Sequence, residues 1–345
     1  MGEESRFVEP FGDSLRCTIC PRMCVIKPGE RGFCDTKENK DGEIISLTYG
    51  MLSAIAVDPI EKKPLSHFYP GSLSFSVSSI GCSFTCPWCQ NWHLSTAKPD
   101  ESNLKRVSPK EVVEMATKQD CTSIAYTYNE PLINLNYVED VAGLARNKGL
   151  KNVLVTNGYI SKPALDQVVG LIDAANVDWK AFNEPFYRKY CSADLQSVLD
   201  ATVEMKRKGV HVEVTFLIIP ETNDNEEETR SMAQFLVENL GPDAPLHLSR
   251  FFPHYKFVHV PPTPIETLLR AREIAMEEGV RYVFVGNVPY TEYDDTFCPK
   301  CGRAVIDRTG YTITGWHLDE GNNCDYCGEP IAIVGKRETH RNPFL

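Results

Sequence analysis

The chain has 345 residues, of which 42% are hydrophobic and 24% are charged, and its formal net charge at pH 7 is −11. This composition is typical of a globular protein and excludes a chain that is disordered throughout. The acidic balance argues against nucleic acid as a partner, because affinity for phosphates comes from Lys and Arg. The start MGEESRFVEP lacks a signal-peptide pattern, and no apolar run reaches the roughly 18 residues of a membrane span. We therefore expect a soluble, cytoplasmic protein without membrane attachment.

Residues 1–71 are predicted to form a Cys-rich segment. Four cysteines lie within the 18 residues of CTICPRMCVIKPGERGFC, and we call Cys17, Cys20, Cys24 and Cys34 the N-terminal cysteine group. In a chain without an export signal, clustered cysteines are typical of metal ligands rather than of disulfides. A segment this short buries little core, so we expect a metal to organise it. Zinc and an auxiliary iron–sulfur cluster both remain open as the occupant.

Residues 72–290 alternate short apolar runs with helical patterns, which is typical of βαβ units and a parallel sheet. The predicted strands are 73–79, 122–128, 152–156, 176–180, 212–219, 246–250 and 281–285. SPKE from Ser108 and TPIE from Thr263 each predict a helix that begins with a capping box. A further helix is predicted to begin at Pro131 and to stop before Gly149. The expected fold is α/β, a full or partial (β/α) barrel with small Cys-rich metal-binding segments at both ends.

The central cysteine group, Cys82, Cys86 and Cys89, lies in GCSFTCPWCQNW directly after the first predicted strand. A [4Fe–4S] cluster is usually held by four cysteines, so three ligands from one loop would leave one iron open to bind a reactant. The alternative is a zinc site completed by His93, four residues after Cys89. In that alternative the protein is a non-catalytic multi-zinc scaffold or binding module.

Polar side chains also follow the other predicted strands, at the carboxyl ends where barrels of this kind carry their chemistry. They are Tyr128, Asn129 and Glu130, then Asn157, then Asp178 and Lys180, then His247 and Arg250, and finally Asn287. We expect them to converge on one rim. The pair Lys62 and Lys63 lies outside this set and is predicted to be solvated surface, as charge runs usually are.

Residues 291–345 are predicted to form a zinc-ribbon or rubredoxin-like domain. The C-terminal cysteine group is Cys298, Cys301, Cys324 and Cys327. It forms two CxxC turns, each followed directly by a glycine, which is typical of four-thiolate metal knuckles. We expect structural zinc here rather than iron, because a closed four-thiolate tetrahedron is the commonest structural zinc site.

The central motif, with Trp88 just before its third cysteine, resembles the signature of the radical S-adenosylmethionine (radical SAM) superfamily. VTNGY near DWK resembles the pyruvate formate-lyase activating enzyme branch. YTYNEP, VDPIEKKPLSHFYPG and HLSRFFP are similar to the radical SAM member of the AmmeMemoRadiSam system. This resemblance extends over nearly the whole chain.

The resemblance implies an oxidoreductase that cleaves S-adenosylmethionine (SAM) reductively at a [4Fe–4S] cluster, so that a 5′-deoxyadenosyl radical abstracts hydrogen from a substrate. The central cysteine group would be the catalytic cluster ligands. The residues expected to bind the cofactor are Trp88, Tyr128, Asn129, Glu130, Asn157, Asp178, Lys180, His247 and Arg250. Glu130 stands where the superfamily usually has a glycine-glycine-glutamate motif, although Tyr128 and Asn129 replace the two glycines.

The resemblance also implies partners. We expect a reductant such as ferredoxin or flavodoxin, and either a protein substrate or partners similar to Memo and AMMECR1. The alternative keeps the radical chemistry and places it on a small molecule, a lipid or an RNA base. The isolated Cys191 is either a hydrogen-atom donor or, as isolated cysteines more often are, a small buried hydrophobic residue.

Overall fold

The computed structural model describes residues 3–288 and 292–338. The strands are β1 (Glu3–Glu4), β2 (Val8–Phe11), β3 (Ser14–Cys17), β4 (Val25–Ile26), β5 (Lys37–Lys40), β6 (Glu43–Ser46), β7 (Met51–Leu52), β8 (Ala54–Pro59), β9 (Leu73–Ser78), β10 (Lys105–Arg106), β11 (Ser123–Tyr126), β12 (Lys151–Thr156), β13 (Ala174–Trp179), β14 (His211–Ile218), β15 (Leu246–Arg250), β16 (Val283–Gly286), β17 (Thr296–Phe297), β18 (Ala304–Thr309) and β19 (Thr312–Trp316). The helices are α1 (Trp92–Ser95), α2 (Pro109–Lys118), α3 (Leu135–Asn147), α4 (Lys162–Val168), α5 (Glu184–Phe186), α6 (Leu195–Arg207), α7 (Glu226–Leu240) and α8 (Ile265–Glu277).

The main sheet has eight strands in the order β16, β15, β14, β13, β12, β11, β9 and β8. All neighbours are parallel except β8, which pairs antiparallel with β9 at one edge. In the part of the chain that the structure describes, β8 and β16 are the two edges and do not pair with each other. The fold is therefore α/β and the barrel is partial.

The seven parallel strands of this sheet are largely buried on both faces, which is why apolar and β-branched residues fill them. In β14, for example, Val214 and Phe216 on one face are completely inaccessible to solvent, and Leu217 on the other face is only partly exposed. All seven strands predicted from the alternation are present, with ends shifted by a few residues at most.

The predicted segment boundaries fit the structure less well. Ala54–Pro59 was expected in the N-terminal segment, but it joins the barrel sheet as β8. The boundary predicted at residue 290 falls among residues 289–291, which lie outside the described residues.

The helix starts were predicted with mixed success. Ser108 caps α2 with a complete capping box, in which its side chain accepts from the Glu111 N–H and Glu111 accepts from the Ser108 N–H. The capping box predicted at Thr263 is wrong, because Pro264 is the N-cap of α8 and makes no side-chain cap bond. The Thr263 hydroxyl instead donates to the Ile218 carbonyl at 2.6 Å and accepts from the Phe251 N–H at 3.0 Å.

Small antiparallel sheets surround the barrel. Two three-stranded sheets, β2-β3-β4 and β1-β6-β5, form the Cys-rich start of the chain, and β17-β18-β19 forms the C-terminal domain. A two-stranded pair of β7 and β10 lies between them in the chain. Across the described ranges, no helix combines the length and the apolar character needed to cross a membrane.

A buried polar network closes the amino-terminal end of the barrel. Its centre is Glu213 of β14, whose carboxylate accepts from the backbone N–H groups of Ser66 at 2.9 Å and His67 at 2.8 Å. The same carboxylate contacts His247 Nε2 at 2.6 Å and His211 Nε2 at 2.9 Å. Burial opposes ionisation of Glu213, but the bonds from the two histidines hold its pKa well below its usual range.

The C-terminal part of the chain completes this network. The His67 ring contacts the Ala332 carbonyl at 3.1 Å and the Thr296 hydroxyl at 3.2 Å, and burial lowers its pKa to about 3. Arg308 donates to the Ser66 carbonyl at 2.9 Å and to the Thr296 hydroxyl at 3.0 Å. These bonds run between distant parts of the chain, so the network links β14, the segment after β8 and the C-terminal domain.

Candidate functional site

A cavity of about 320 Å³ lies at the carboxyl ends of the barrel strands. Its wall combines the central cysteine group with side chains that follow the successive strands. Seven of the nine residues predicted to bind the cofactor line it, namely Trp88, Tyr128, Asn129, Glu130, Asn157, Asp178 and Lys180. The structure thus brings most of the predicted rim together.

The central cysteine group lies in the loop between β9 and α1, and donors surround its sulfurs. The Phe84 N–H points at Cys82 Sγ from 3.3 Å, and the Asn157 amide lies 3.7 Å from the same sulfur. The Ser95 hydroxyl lies 3.5 Å from Cys89 Sγ. Donors placed on sulfur atoms stabilise thiolates, which is the form that binds iron.

The three thiols fit a cluster better than they fit free cysteines. Burial, followed by the charges of Glu130 and Cys86, raises the pKa of the Cys82 thiol well above its usual value. Burial also raises the pKa of Cys89. Without a metal these sulfurs would therefore stay protonated in a polar cavity, whereas bound iron would supply the positive charge that thiolates need.

His93 does not complete a zinc site in the described part of the chain. The residue is exposed, it does not line the cavity, and its ring packs edge-on against Trp92 with 6.4 Å between the ring centroids. Among the described residues, the ligand atoms that lie within 4.8 Å of one another belong to the C-terminal cysteine group. The sulfurs of the central group are not part of such a set. The zinc alternative for the central motif loses its fourth ligand.

Cys191 lies behind the cavity wall. It is completely buried at the end of a π-helical turn, Tyr187–Cys191, and its Sγ is 3.8 Å from Cys86 Sγ. It does not line the cavity. This placement is that of a small buried residue packed against the loop that carries the central cysteine group, which we call the cluster loop.

Asn129 holds the loop that leads into the central motif. Its side-chain oxygen accepts from the Ser79 N–H and the Ser78 hydroxyl, both at 3.1 Å. Its amide donates to the carbonyls of Ile80 and Gly81, again at 3.1 Å. Asn129 therefore positions the residues directly before Cys82, and its polar atoms are occupied by that task.

Glu130 is occupied in a similar way. One carboxylate oxygen accepts from the Leu132 N–H at 3.0 Å and the Thr156 hydroxyl at 2.7 Å, and the other accepts from the Asn157 N–H at 2.8 Å. Burial raises the pKa of Glu130 to about 7. The residue ties the end of β11 to the end of β12 and still presents its edge to the cavity.

The sequence did not predict an ion pair beside Tyr128. Asp58 of β8 binds Lys63 Nζ at 2.6 Å and Lys62 Nζ at 2.7 Å, and it accepts a short hydrogen bond from the Tyr128 hydroxyl. Lys63 is only 1% exposed, so the prediction of a solvated lysine pair is wrong for this residue. Burial lowers the pKa of Lys63 to about 8, and Asp58 opposes that shift.

The sequence did not indicate this pair because Asp58 lies in β8, which was assigned to the N-terminal segment, and Lys63 follows that strand. Lys63 lines the cavity, and its Nζ lies 4.5 Å from the centre of the Tyr128 ring. Tyr128 itself adopts a left-handed φ of 71°, a strained conformation that is commonest at functional sites.

Asp178 and Lys180 form a second ion pair on the cavity wall. Lys180 Nζ lies 3.0 Å from Asp178 Oδ2, and both side chains line the cavity. Burial alone would lower the pKa of Lys180, but the charges of Asp178 and Cys86 raise it above its ordinary value. Lys180 therefore carries a permanent positive charge near the central cysteine group.

Trp88 supplies an apolar side of the cavity. The ring is buried against Phe186 at 5.3 Å, Phe257 at 5.5 Å and Tyr190 at 5.9 Å between ring centroids. Phe84 and Phe251 also line the cavity. These side chains exclude water from one side of the central cysteine group.

His247 and Arg250 are not brought to the cavity, which corrects the prediction that they bind the cofactor there. His247 is the second residue of β15, so it lies deep in the barrel and bonds Glu213. Arg250 points away, since its guanidinium donates to the Thr263 carbonyl at 2.7 Å. Their neighbour Ser249 lines the cavity instead, as does Asn287, which donates to the Ser249 hydroxyl at 3.0 Å.

The two outer cysteine groups lie away from this cavity. The C-terminal group brings its four sulfurs within 4.8 Å of one another, as the knuckle pattern predicts. Gly302 and Gly328, which follow the knuckles, have left-handed φ values of 71° and 73° that other residues rarely adopt. The N-terminal group lines a separate cavity together with Lys37 and Ser83.

Comparisons with known proteins agree with this site. The model of the radical SAM superfamily matches residues 76–236. An uncharacterized protein of Methanocaldococcus jannaschii is 46% identical over 333 residues, which cover 96% of this chain and 99% of the relative. A protein of the same organism, named as a candidate glycyl-radical enzyme activating enzyme, is 24% identical over 212 residues, which cover 60% of this chain and 79% of the relative.

The fold has a solved counterpart. The structure of a radical SAM methyltransferase from Sphaerobacter thermophilus matches with a TM-score of 0.50 and 17% identity, over 63% of this chain and 67% of that one. At this identity the likeness concerns the fold alone. Family match, extended sequence similarity and the placement of the central cysteine group lead to one conclusion: the chain belongs to the radical SAM superfamily.

Proposed function

We propose that the chain is a radical SAM oxidoreductase that acts on a protein substrate, as a glycyl-radical activating enzyme does. When bound, a [4Fe–4S] cluster and SAM supply reductive cleavage of SAM to methionine and a 5′-deoxyadenosyl radical, which takes hydrogen from the substrate. The observation that carries the proposal is the central cysteine group, which places three sulfurs on the wall of the barrel cavity, with no fourth cysteine there among the described residues. The central group would hold the cluster.

The charged walls suit the amino acid part of SAM. Lys180 is a permanent cation beside the central group and would attract the SAM carboxylate, while Asp178 keeps its side chain in place. Glu130 presents a carboxylate edge that would accept from the SAM ammonium, and Asn157 lies next to Cys82 and would contact the ribose. Trp88 and Phe84 would exclude water from the reacting atoms.

Exposed apolar side chains near the cavity favour a protein substrate. Phe252 lines the cavity and is 41% exposed, and Val258 on the same loop is 68% exposed. Trp92, also 41% exposed, stacks on Tyr255 with 5.1 Å between the ring centroids. The backbone N–H of residue 256 donates to the carbonyl of residue 87 at 2.9 Å, so this loop is fixed to the cluster loop. Apolar side chains grouped around an active site are typical of a surface that receives a partner.

The remaining partners belong to the same proposal. A one-electron reductant such as ferredoxin or flavodoxin would reduce the cluster, and Memo-like or AMMECR1-like proteins are candidate partners. Zinc would occupy the C-terminal cysteine group, whose sulfurs are already close together. The similarity to a protein named as a candidate activating enzyme supports the choice of a protein substrate.

The proposal is tested with anaerobically reconstituted protein, SAM and dithionite. We expect release of 5′-deoxyadenosine and methionine in equal amounts. Cys86→Ser should lose this product together with the cluster, while His93→Ala should keep both, because His93 is exposed and does not line the cavity. A fully loaded wild-type protein that releases no 5′-deoxyadenosine would overturn the proposal.

The protein substrate is tested by isotope transfer. Candidate partner proteins are deuterated and incubated with the enzyme and SAM, and deuterium in 5′-deoxyadenosine is measured by mass spectrometry. We expect transfer from one protein partner. Transfer only from deuterated small molecules, lipids or RNA would assign the chemistry to another substrate class.

A further inference from the structure

The two outer cysteine groups differ in the spacing of their sulfurs. In the C-terminal group, Cys298 Sγ and Cys327 Sγ are 3.6 Å apart, and Cys301 Sγ and Cys324 Sγ are 3.8 Å apart. Four thiolates at about 2.3 Å from one tetrahedral zinc lie about 3.8 Å from each other. The C-terminal group therefore has the spacing of a single-ion site.

The N-terminal group does not have this spacing. Within residues 3–288 and 292–338, the sulfurs of the C-terminal group all lie within 4.8 Å of one another. The sulfurs of the N-terminal group do not. Its four cysteines instead line a small cavity of about 20 Å³. The central cysteine group is arranged in the same manner, with sulfurs spread around a cavity.

Ligand sulfurs that stand apart from one another are what a cubane cluster requires. Each cysteine in a [4Fe–4S] site binds a different iron at a different corner, so the ligand sulfurs stand farther apart than around one ion. The N-terminal group offers the four cysteines that such a cluster takes, including the CxxC pair of Cys17 and Cys20.

A buried lysine provides an independent observation. Lys37 lines the same cavity and is only 2% exposed, and its Nζ donates to the Ser46 hydroxyl at 2.8 Å. A buried ammonium needs a nearby negative charge. Four thiolates on a metal centre, whether zinc or an iron–sulfur core, carry net negative charge, whereas four protonated thiols carry none, so the lysine indicates a bound metal and the sulfur spacing indicates which one.

We propose that Cys17, Cys20, Cys24 and Cys34 hold a second [4Fe–4S] cluster, while the C-terminal group holds zinc. This cluster has four protein ligands, so it has no iron open to a substrate. It is a site distinct from the central group and does not depend on the proposed substrate.

The second cluster lies against the loop of the first. Ser83 lines the N-terminal cavity and follows Cys82 directly. Arg22, also on that cavity, donates to the Ser83 carbonyl at 2.8 Å and to the Ser192 carbonyl at 2.5 Å. A Cβ built on Gly81 would lie 2.7 Å from the Cys34 carbonyl oxygen, so the two cysteine loops touch through their backbones.

The test is metal and sulfide analysis of the full chain after anaerobic purification and reconstitution. We expect about eight iron, about eight sulfide and about one zinc per chain, because two cubane clusters and one four-thiolate site are present. Cys20→Ser should lower iron and sulfide by about half and leave zinc unchanged. Cys301→Ser, the matched control, should lose zinc and keep the iron.

A variant without the central cluster isolates the second one. With Cys82, Cys86 and Cys89 all replaced by Ala, the protein should retain about four iron and give the Mössbauer and electron paramagnetic resonance signals of a [4Fe–4S] cluster. This variant cannot cleave SAM, so its result is separate from that of the proposed function. It also remains informative if Cys20→Ser fails to fold.

Two results would overturn the proposal. One is a wild-type protein that saturates at about four iron and about two zinc per chain. The other is a triple-alanine variant that takes up zinc but no iron during reconstitution.

Discussion

The two ends of the barrel carry similar residue types and use them differently. At the carboxyl end, Asp178, Lys180 and Lys63 are paired but still face a cavity. At the amino end, Glu213 and His67 bond to other parts of the chain. Polar groups at one end therefore remain available to a ligand, while those at the other end fix the fold.

This difference follows from what closes each end. The segment after β8 and the C-terminal domain cover the amino end and supply partners for its polar groups. Loops surround the carboxyl end and leave a cavity of about 320 Å³. A charged side chain thus stabilises the fold at the amino end and faces a ligand cavity at the carboxyl end. Substitutions at the amino end should therefore lower stability, and substitutions at the carboxyl end should weaken cofactor binding.

The largest effect is expected for Glu213→Gln. An amide cannot accept from all the donors that surround this carboxylate, and each lost bond to a charged group costs about 1.5–3 kcal/mol. We expect the free energy of unfolding to fall by at least about 3 kcal/mol in urea titrations, while the Kd for SAM of the folded protein stays the same. Glu277→Gln, on the exposed surface, should change stability by no more than about 0.5 kcal/mol. A large change in SAM affinity would erase the distinction between the ends.

The converse is expected for Lys180→Met. Removing the cation should weaken SAM binding about 100-fold, which corresponds to about 2.7 kcal/mol, because charged partners in a partly desolvated site contribute energies of this size. Titration calorimetry under anaerobic conditions measures the affinity. Unchanged affinity together with reduced thermal stability would make the Asp178–Lys180 pair structural, like the network at the amino end.

Lys63→Met should lower both the free energy of unfolding and the affinity for SAM, each by less than the two substitutions above. The substitution leaves Asp58 buried with a weaker set of partners, so we expect the free energy of unfolding to fall by about 2 kcal/mol. The matched control is Lys62→Met, because Lys62 binds the same carboxylate but its side chain is 44% exposed. It should cost less than about 1 kcal/mol in the same urea titration. Equal losses in both variants would contradict a special role for burial.

The pH dependence of stability gives a finer test of the amino end. Burial lowers the pKa of His67 to about 3, below the ordinary 6.5, so the unfolded chain binds this proton first as pH falls. The stabilising contribution is complete above pH 6.5 and is lost between 6.5 and about 3. His67→Gln should make unfolding less steeply dependent on pH in that window, by up to about 1.4 kcal/mol per pH unit. An unchanged slope in urea titrations at about pH 5 and about pH 6 would show that His67 does not titrate this way.

The smallest effect is expected for Arg250→Ala. Its guanidinium donates to the Thr263 carbonyl and stacks on Phe252, so it does not face the cavity. We expect the Kd for SAM to change by no more than about twofold. A loss of affinity comparable to that of Lys180→Met would restore the sequence-based prediction for this residue.

The sequence predicted the barrel strands well because the pattern that encodes them is local. Strands buried on both faces need apolar, β-branched runs, and these are visible without any tertiary information. The central cysteine group and the Asp178–Lys180 pair followed from their places directly at the ends of such runs. These residues converge because the carboxyl ends of parallel barrel strands all lie at one end of the barrel, so no particular side-chain contact had to be known.

The errors concern residues whose role depends on how far along a barrel strand they lie and on which face of the strand they project from. His247 and Ser249 share a face of β15, but His247 lies two residues deeper and meets Glu213. Arg250 is adjacent to Ser249 and therefore projects to the other face. Asp58 and Lys63 depend on the pairing of β8 with β9, a contact that no local pattern in the sequence indicated.

Phe68 and Val334 form an isolated parallel β-bridge, which ties the segment after β8 to the C-terminal domain and bears on the order of synthesis. The Tyr69 N–H donates to the Val334 carbonyl at 2.8 Å, and the Val334 N–H donates to the His67 carbonyl at 2.8 Å. A ribosome makes the first of these segments about 260 residues before the second, at about 5–20 residues per second. The barrel can therefore form its parallel strands during translation, but its amino end stays open to water until the C-terminal domain has emerged.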